Sequence, residues 1–201
     1  MPELDAPSGP DPSGPGGGSD PDAVTRGARL AVDVGTVRVG LAASDPDGML
    51  ATPVTTLQRA PGKVKPGSPD VVAVAAQVRE RDVRVVYVGL PLHLSGAEGS
   101  STDLARAYAV ALARQVAPVG VRLVDERMST VTAHQALQAS GRSGRRHRQV
   151  VDQAAAVVIL QHALDAERAT GRRPGERVDV DPRSSRRAVE GPAGDGTTTV
   201  E

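Results

Sequence analysis

Asp33 is the residue whose surroundings in this sequence most clearly suggest chemistry. It lies near the end of an apolar run, 29–34, and a second apolar run, 38–43, follows after Gly35. A carboxylate within an apolar strand is costly to bury unless it is paired or binds a cation. Glycine two residues later allows a tight turn or the close approach of a ligand. The segment therefore fits either a ligand for a metal or phosphate, or an Asp-x-Gly hairpin turn without chemistry.

Two further positions carry acids at the ends of apolar elements. Asp125 and Glu126 end the run 121–126, and strand alternation puts them on opposite faces, so one of the two can point into a crevice. Asp152 shares a helical face with Ile159, at the start of an apolar stripe that we expect to face the sheet. The non-catalytic alternatives are a helix cap or surface pair for Asp125 and a favourable helix-dipole interaction for Asp152.

These acids could converge on one pocket for divalent cations, formed by Asp33, Glu126 (with Asp125 as its substitute) and Asp152. Carboxylate oxygens suit Mg²⁺ or Mn²⁺. Two such ions can activate a water molecule and stabilise the leaving oxygen when a phosphodiester is cleaved. The chain has no cysteine and its histidines are scattered, which disfavours a zinc site.

Arginines are concentrated just before the last of these acids. The loop 140–148 is rich in Gly and Arg and contains Arg142, Arg145, Arg146 and Arg148, while Arg127 directly follows the strand acids. Guanidinium groups bind phosphates through paired hydrogen bonds, so we predict that these residues hold substrate phosphates. A solvated run of surface charge is the alternative.

The apolar patterns predict elements that would bring these residues together. We expect strands over about 29–34, 38–44, 49–58, 83–91 and 121–126, and helices over about 71–81, 102–116, 129–139 and 150–168. Three consecutive strands suggest an antiparallel meander, and the later strand–helix alternation suggests parallel crossovers. The result is a mixed-sheet α/β domain over 28–172 with its crevice at the carboxyl ends of the parallel strands. Residues 1–27 and 173–201 are expected to be disordered tails.

Composition narrows the class of protein further. The chain has no apolar run long enough for a membrane span and no signal-peptide pattern, so we expect a cytoplasmic protein without a membrane partner. Tyr87 and Tyr108 are its only aromatic residues, which leaves little for base stacking. Net charge is zero, but the predicted domain is mildly basic and the tails are acidic.

With these residues identified, the chain closely resembles the YqgF family, also called RuvX or Holliday-junction-resolvase-like proteins. The similar segments are AVDVGTVRVGLAASDPDG (31–48), VVYVGLPLHLSGAEGSST (85–102), VRLVDERMST (121–130) and VVDQAAAVVILQ (150–161). No single motif would suffice, but all four occur in the family's order. The resemblance implies a ribonuclease-H-like fold, here with a mixed five-stranded sheet flanked by helices.

The resemblance also implies roles for individual residues. It assigns catalytic roles to Asp33 and Asp152 and gives the third acidic position to Asp125–Glu126. Related resolvases place an acid at the end of the fourth strand, where this chain has Gly89-Leu90-Pro91, so the strand-five acids would have to substitute. The implied activity is a hydrolase of phosphodiester bonds that matures the 5′ end of pre-16S rRNA in ribosome biogenesis. Resolvase activity on branched DNA is the alternative, and a homodimer is compatible with either.

Two other classes of protein deserve comparison. The stretch 33–36, Asp-Val-Gly-Thr, also looks like the first phosphate loop of actin-like ATPases and sugar kinases, but those proteins need two such domains and this chain has room for one. A non-catalytic module that grips rRNA or a ribosomal partner is the other class, and the three acids argue against it.

Overall fold

The structure of the chain is a computed structural model that describes residues 20–92, 99–126 and 145–180, with the backbone alone for 145–152. Along the chain the elements are β1 (Ala28–Val34), β2 (Arg38–Ser44), β3 (Ala51–Gln58), α1 (Pro69–Glu80), β4 (Val83–Leu90), α2 (Ser100–Val116), β5 (Gly120–Asp125), α3 (Arg145–Thr170) and β6 (Glu176–Arg177). The predicted helix over 129–139 lies outside the described residues. No helix in the described ranges is both long and apolar enough to cross a membrane.

The strands form one sheet in the order β3-β2-β1-β4-β5-β6. The first three strands pair antiparallel, as the predicted meander requires, and β1, β4 and β5 pair parallel to one another. This mixed sheet with flanking helices confirms the predicted fold class, which is ribonuclease-H-like. The sheet has six strands rather than five, because β6 adds antiparallel to β5 through two residues.

The sixth strand belongs to a segment that the sequence assigned to a disordered tail. Arg122 of β5 is buried, and its guanidinium donates to Asp22 Oδ1 at 2.7 Å and to the carbonyls of Pro174 and Gly175. A buried guanidinium needs several acceptors, and segments on both sides of the predicted 28–172 domain supply them. The described structure therefore extends past both predicted limits, while 1–19 and 181–201 lie outside it.

The start of α3 also differs from the prediction. The sequence placed a loop over 140–148 and a helix from about 150, but α3 begins at Arg145. Arginine has a high helix propensity, and the helix-breaking glycine nearest to this start is Gly144, directly before it. Arg145, Arg146 and Arg148 thus belong to the first turns of α3.

Each face of the sheet has its own apolar core. Leu30, Val32, Val86, Val88 and Leu123 belong to the cluster covered by α1 and α2. The opposite face packs against α3, and its core combines alanines from both elements (Ala31, Ala42, Ala51, Ala156 and Ala163) with larger residues such as Tyr87, Ile159 and Leu160. Small side chains on both surfaces allow the helix to lie close to the sheet.

A buried polar cluster fixes α3 to that face. Arg29 of β1 donates from Nε and Nη2 to Glu167 Oε2, at 2.9 and 2.7 Å, and both residues are less than 5% exposed. The hydroxyl of Tyr87 in β4 donates to Glu167 Oε1. Burial and the neighbouring carboxylate raise the pKa of Tyr87 far above its usual range, so its hydroxyl keeps the proton that it donates.

Replacing Glu167 with alanine tests how much this cluster contributes to stability. Glu167→Ala leaves the Arg29 guanidinium buried without its carboxylate, and we expect the free energy of unfolding to fall by about 3 kcal/mol or more in urea titrations. Asp165→Ala, which removes an exposed carboxylate paired with Arg168 on the same helix, should cost about 0.5 kcal/mol or less. Equal losses of unfolding free energy from the two substitutions would contradict a stabilising role for the buried Arg29–Glu167 pair.

Candidate active site

Asp33 lies near the carboxyl end of β1, between two glycines of the neighbouring strands. It pairs with Gly40 of β2, and the β1–β4 register places it next to Gly89. Ala31, two residues earlier on the same side of the strand, packs in the core under α3. The partly buried carboxylate of Asp33 therefore belongs to the α3 side of the sheet.

Gly35 closes a tight turn directly after this strand. Its N–H donates to the Arg38 carbonyl at 2.9 Å, and a Cβ at position 35 would lie 2.9 Å from the same oxygen. The hairpin turn that the sequence offered as one interpretation is therefore present. It does not exclude the other interpretation, because the turn leaves Asp33 in place at the end of β1.

The two acids at the end of β5, Asp125 in its last position and Glu126 directly after it, lie on opposite sides of the sheet. Val121 and Leu123 pack in the core under α1 and α2, and Asp125 continues that alternation. Val124 packs in the core under α3, and Glu126 extends to the same side, where its carboxylate lies against Ile159 of α3. The structure thus brings Glu126, and not Asp125, to the side of the sheet that carries Asp33.

Gly89 of β4 makes room for the Glu126 carboxylate. A Cβ at position 89 would lie 2.1 Å from Glu126 Oε1 and 2.7 Å from Ile159 Cδ1, distances that real side chains do not adopt. The Glu126 carboxylate therefore fills the space that a side chain of the fourth strand would take. The fourth strand ends without an acid, and the glycine inside it is the sequence signal that could have pointed to this close approach.

The electrostatics of Glu126 are unfavourable for its charged form. Burial, together with the negative charges of Asp33 and Asp125, raises the pKa of Glu126 from its ordinary 4.5 to about 7. A carboxylate in this position is stabilised by a nearby cation, and hard oxygen ligands suit a divalent ion. The donor chemistry of Asp33 and Glu126 therefore fits such an ion, although no group of three or more potential ligands occurs among the described residues.

The remaining predicted site residues lie in or beyond the first turns of α3. Asp152 lies two helical turns before Ile159, and its side chain is outside the described residues. Ala156 and Ile159, which the sequence placed on the same stripe, are buried against the sheet as predicted. Only the backbone is described for Arg145, Arg146 and Arg148, and Arg127 and Arg142 lie outside the described ranges.

Comparison with known proteins shows to which family this chain belongs. Residues 27–166 match the family model RuvX, which is described as Holliday junction resolvase. The chain belongs to the RuvX family. A relative from Thermobifida fusca is 53% identical over 78% of this chain and 98% of that protein, and one from Kineococcus radiotolerans is 54% identical over 85% and 88%. Both are named "Putative pre-16S rRNA nuclease".

Solved structures similar to this RuvX-family chain include "T. thermophilus RuvC in complex with Holliday junction substrate". That chain is 16% identical, with a TM-score of 0.44, and the match covers 74% of this chain and 99% of the other.

A methyl group at position 89 should displace the Glu126 carboxylate. We expect Gly89→Ala to lower stability by about 1–3 kcal/mol, because Glu126 and Ile159 must both move, and to weaken binding of Mn²⁺ in calorimetric titrations. Gly120→Ala is the matched control, since a Cβ at position 120 meets nothing within 4 Å and should leave both measurements unchanged. If Gly89→Ala binds Mn²⁺ as the wild type does, the proposed dependence of metal binding on the space that Gly89 leaves for the Glu126 carboxylate is wrong.

Removing the Glu126 charge should stabilise the metal-free protein in a pH-dependent way. Because the folded-state pKa is raised, the stability linked to protonated Glu126 is complete below about pH 4.5 and is lost as the pH rises through 7. In EDTA, the free energy of unfolding of Glu126→Gln should exceed that of the wild type by a margin that grows by about 2 kcal/mol between pH 5 and pH 8. The exposed Glu80→Gln should show no such growth, and a constant advantage for Glu126→Gln would refute the prediction.

Proposed function

We propose that the chain is a metal-dependent nuclease that hydrolyses phosphodiester bonds in structured RNA, in the 5′-end maturation of pre-16S rRNA during ribosome biogenesis. The names of relatives that share more than half of the aligned residues support the nuclease and its substrate. The observation that carries the chemistry is the arrangement of Asp33 and Glu126, two carboxylates on one side of the sheet at the carboxyl ends of β1 and β5.

In this proposal Asp33, Glu126 and Asp152 hold Mg²⁺ or Mn²⁺. When bound, the metal lowers the pKa of a water molecule and offsets negative charge at the phosphate. Burial of Glu126 near two other acids favours its metal-bound form over its free ionised form, because the metal supplies positive charge next to the carboxylates. Asp33 stands on a central strand bonded on both sides, which limits its movement during the reaction.

The arginines before Asp152 are proposed to hold substrate phosphates. Arg145, Arg146 and Arg148 occupy the first turns of α3, and the first turn contains no acid. Positive side chains at the positive end of a helix are unfavourable by themselves, so an anion at this position relieves the repulsion. Arg127 and Arg142, which both precede α3 in the chain, are proposed to have the same role.

Cleavage of branched DNA is the second candidate function, and the family's description as Holliday junction resolvase favours it. The same carboxylates would serve, because the phosphodiester is common to both substrates. We propose RNA first because relatives that are 52–54% identical to this chain are named for pre-16S rRNA. A cytoplasmic location agrees with that substrate.

The proposed activity depends on the charge of Asp33. Asp33→Asn keeps the shape of the side chain, and we expect cleavage of a pre-16S rRNA fragment in Mg²⁺ to fall at least about 100-fold. Asp47→Asn makes the same change at an exposed acid paired with Arg26 and should cleave at the wild-type rate. Wild-type cleavage by Asp33→Asn would refute the site.

Offering precursor rRNA and a four-way DNA junction in parallel assays distinguishes the two candidate functions. Faster cleavage of the rRNA supports the proposal, and faster cleavage of the junction supports the alternative. Binding of either one without any cleavage by the wild-type protein would instead indicate a non-catalytic module.

A further inference from the structure

A short basic segment follows β3, two strands from Asp33, and turns towards the face of the sheet opposite α3. We call Arg59, Lys63 and Lys65 the basic edge, because they follow β3, the edge strand of the sheet. The end of β3 pairs with the start of β2, which in turn pairs with the end of β1. With neighbouring strands about 4.8 Å apart, Thr56 of β3 lies roughly 10 Å from Asp33, and the basic edge begins three residues further along the chain.

Backbone contacts hold the basic edge in position. The N–H of Arg59 donates to the Val37 carbonyl at 2.9 Å, and its Nε donates to the Thr36 carbonyl at 2.8 Å, in the turn that follows Asp33. Val64 packs against the core under α1 and α2 and so anchors the two exposed lysines on either side of it. Arg59 is thus tied to the turn that ends β1, and the two lysines are held through the core contact of Val64.

The basic edge has no acidic neighbour on its own stretch of the sequence. The sequence contains no Asp or Glu between Asp47 and Asp70, and Asp70 is buried. Within the described ranges, no carboxylate lies within ion-pair distance of Arg59, Lys63 or Lys65, whereas other surface arginines, such as Arg84 and Arg106, do have acidic partners. The surface is therefore suited to an anion from outside the chain.

The chemistry of the surface favours phosphates over bases. Both tyrosines are fully buried and the chain has no Phe or Trp, so no phenyl, phenol or indole ring is available on the surface for a base to stack on. Lysine and arginine contact the nucleic-acid backbone without reading sequence. We propose that the basic edge binds backbone phosphates of the substrate on the opposite side of the scissile bond from the α3 arginines. This inference rests on the proposed function and assigns a second contact surface to the same site.

Lysine chemistry can test the surface directly, because Lys63 and Lys65 are the chain's only two lysines. Acetylation by an N-hydroxysuccinimide ester is followed by mass spectrometry, with the full-length Asp33→Asn protein and a pre-16S rRNA fragment. We expect the RNA to slow modification of both lysines at least about threefold, with protection lost at high salt. Equal modification with and without RNA would overturn the proposal.

Charge removal gives an independent measurement. In the Asp33→Asn background, Lys63→Gln with Lys65→Gln should reduce the slope of log affinity against log salt by about 2, one unit per phosphate contact. In the wild-type background the same pair should raise KM and leave kcat unchanged. Arg79→Gln with Arg81→Gln removes two exposed charges at the far end of α1 and should change neither quantity.

The outcomes separate this inference from the proposed function. Unchanged RNA binding by the lysine variant, with cleavage still dependent on Asp33, overturns the basic edge and leaves the nuclease intact. Lysine-dependent binding without any cleavage by the wild type supports the basic edge and removes the nuclease. Equal losses from the lysine and arginine pairs, or competition by polyglutamate as strong as that by RNA, would show a general charge effect and overturn the proposal.

Discussion

The buried ion pair between Arg29 and Glu167 sets the position of α3, and the arrangement of the site depends on it. From Arg29 to Asp33 the strand rises about 13 Å, and from Glu167 back to Ile159 the helix rises about 12 Å. The two elements run in opposite directions, so joining them at one end brings Ile159 to Gly89 and Glu126 at the other. A buried pair contributes less to net stability than to the choice of one register, and here the register determines what surrounds Glu126.

Close packing between α3 and the sheet is also needed for Ile159 to reach the carboxyl end of β4. The surface between the sheet and α3 is rich in alanine, with Ala31 and Ala42 facing Ala156 and Ala163. Larger residues would lift the helix away, and Ile159 would no longer reach the carboxyl end of β4. Gly89 completes the same pattern, since the absence of a side chain there lets a carboxylate from β5 lie over β4. The site thus results from small residues at the places where three elements meet.

The sequence predicted the parts of this arrangement that are local. Alternation identified the strands, and helical spacing identified the buried stripe that contains Ala156 and Ile159. Alternation also separated Asp125 from Glu126, but it could not show which face meets α3, because that depends on a contact between Arg29 and Glu167, 138 positions apart. The strand β6 was not predicted for a related reason. A strand of two residues is too short to show an alternating pattern, and its pairing depends on the carbonyl acceptors that the buried Arg122 requires.

The distribution of charge explains why a chain of zero net charge suits a polyanionic substrate. Asp33 and Glu126 concentrate negative charge at the sheet end, which by itself would repel phosphates and which makes ionisation of Glu126 costly. In the proposal, positive charge lies on both sides, from the first turns of α3 and from Arg59, Lys63 and Lys65. A phosphate backbone crossing the site would then meet cations before and after the acids. A phosphate can bind next to Asp33 and Glu126 favourably only when a bound cation reverses the negative charge there. Metal binding and substrate binding at this site are therefore expected to reinforce each other, because each reduces the electrostatic cost of the other.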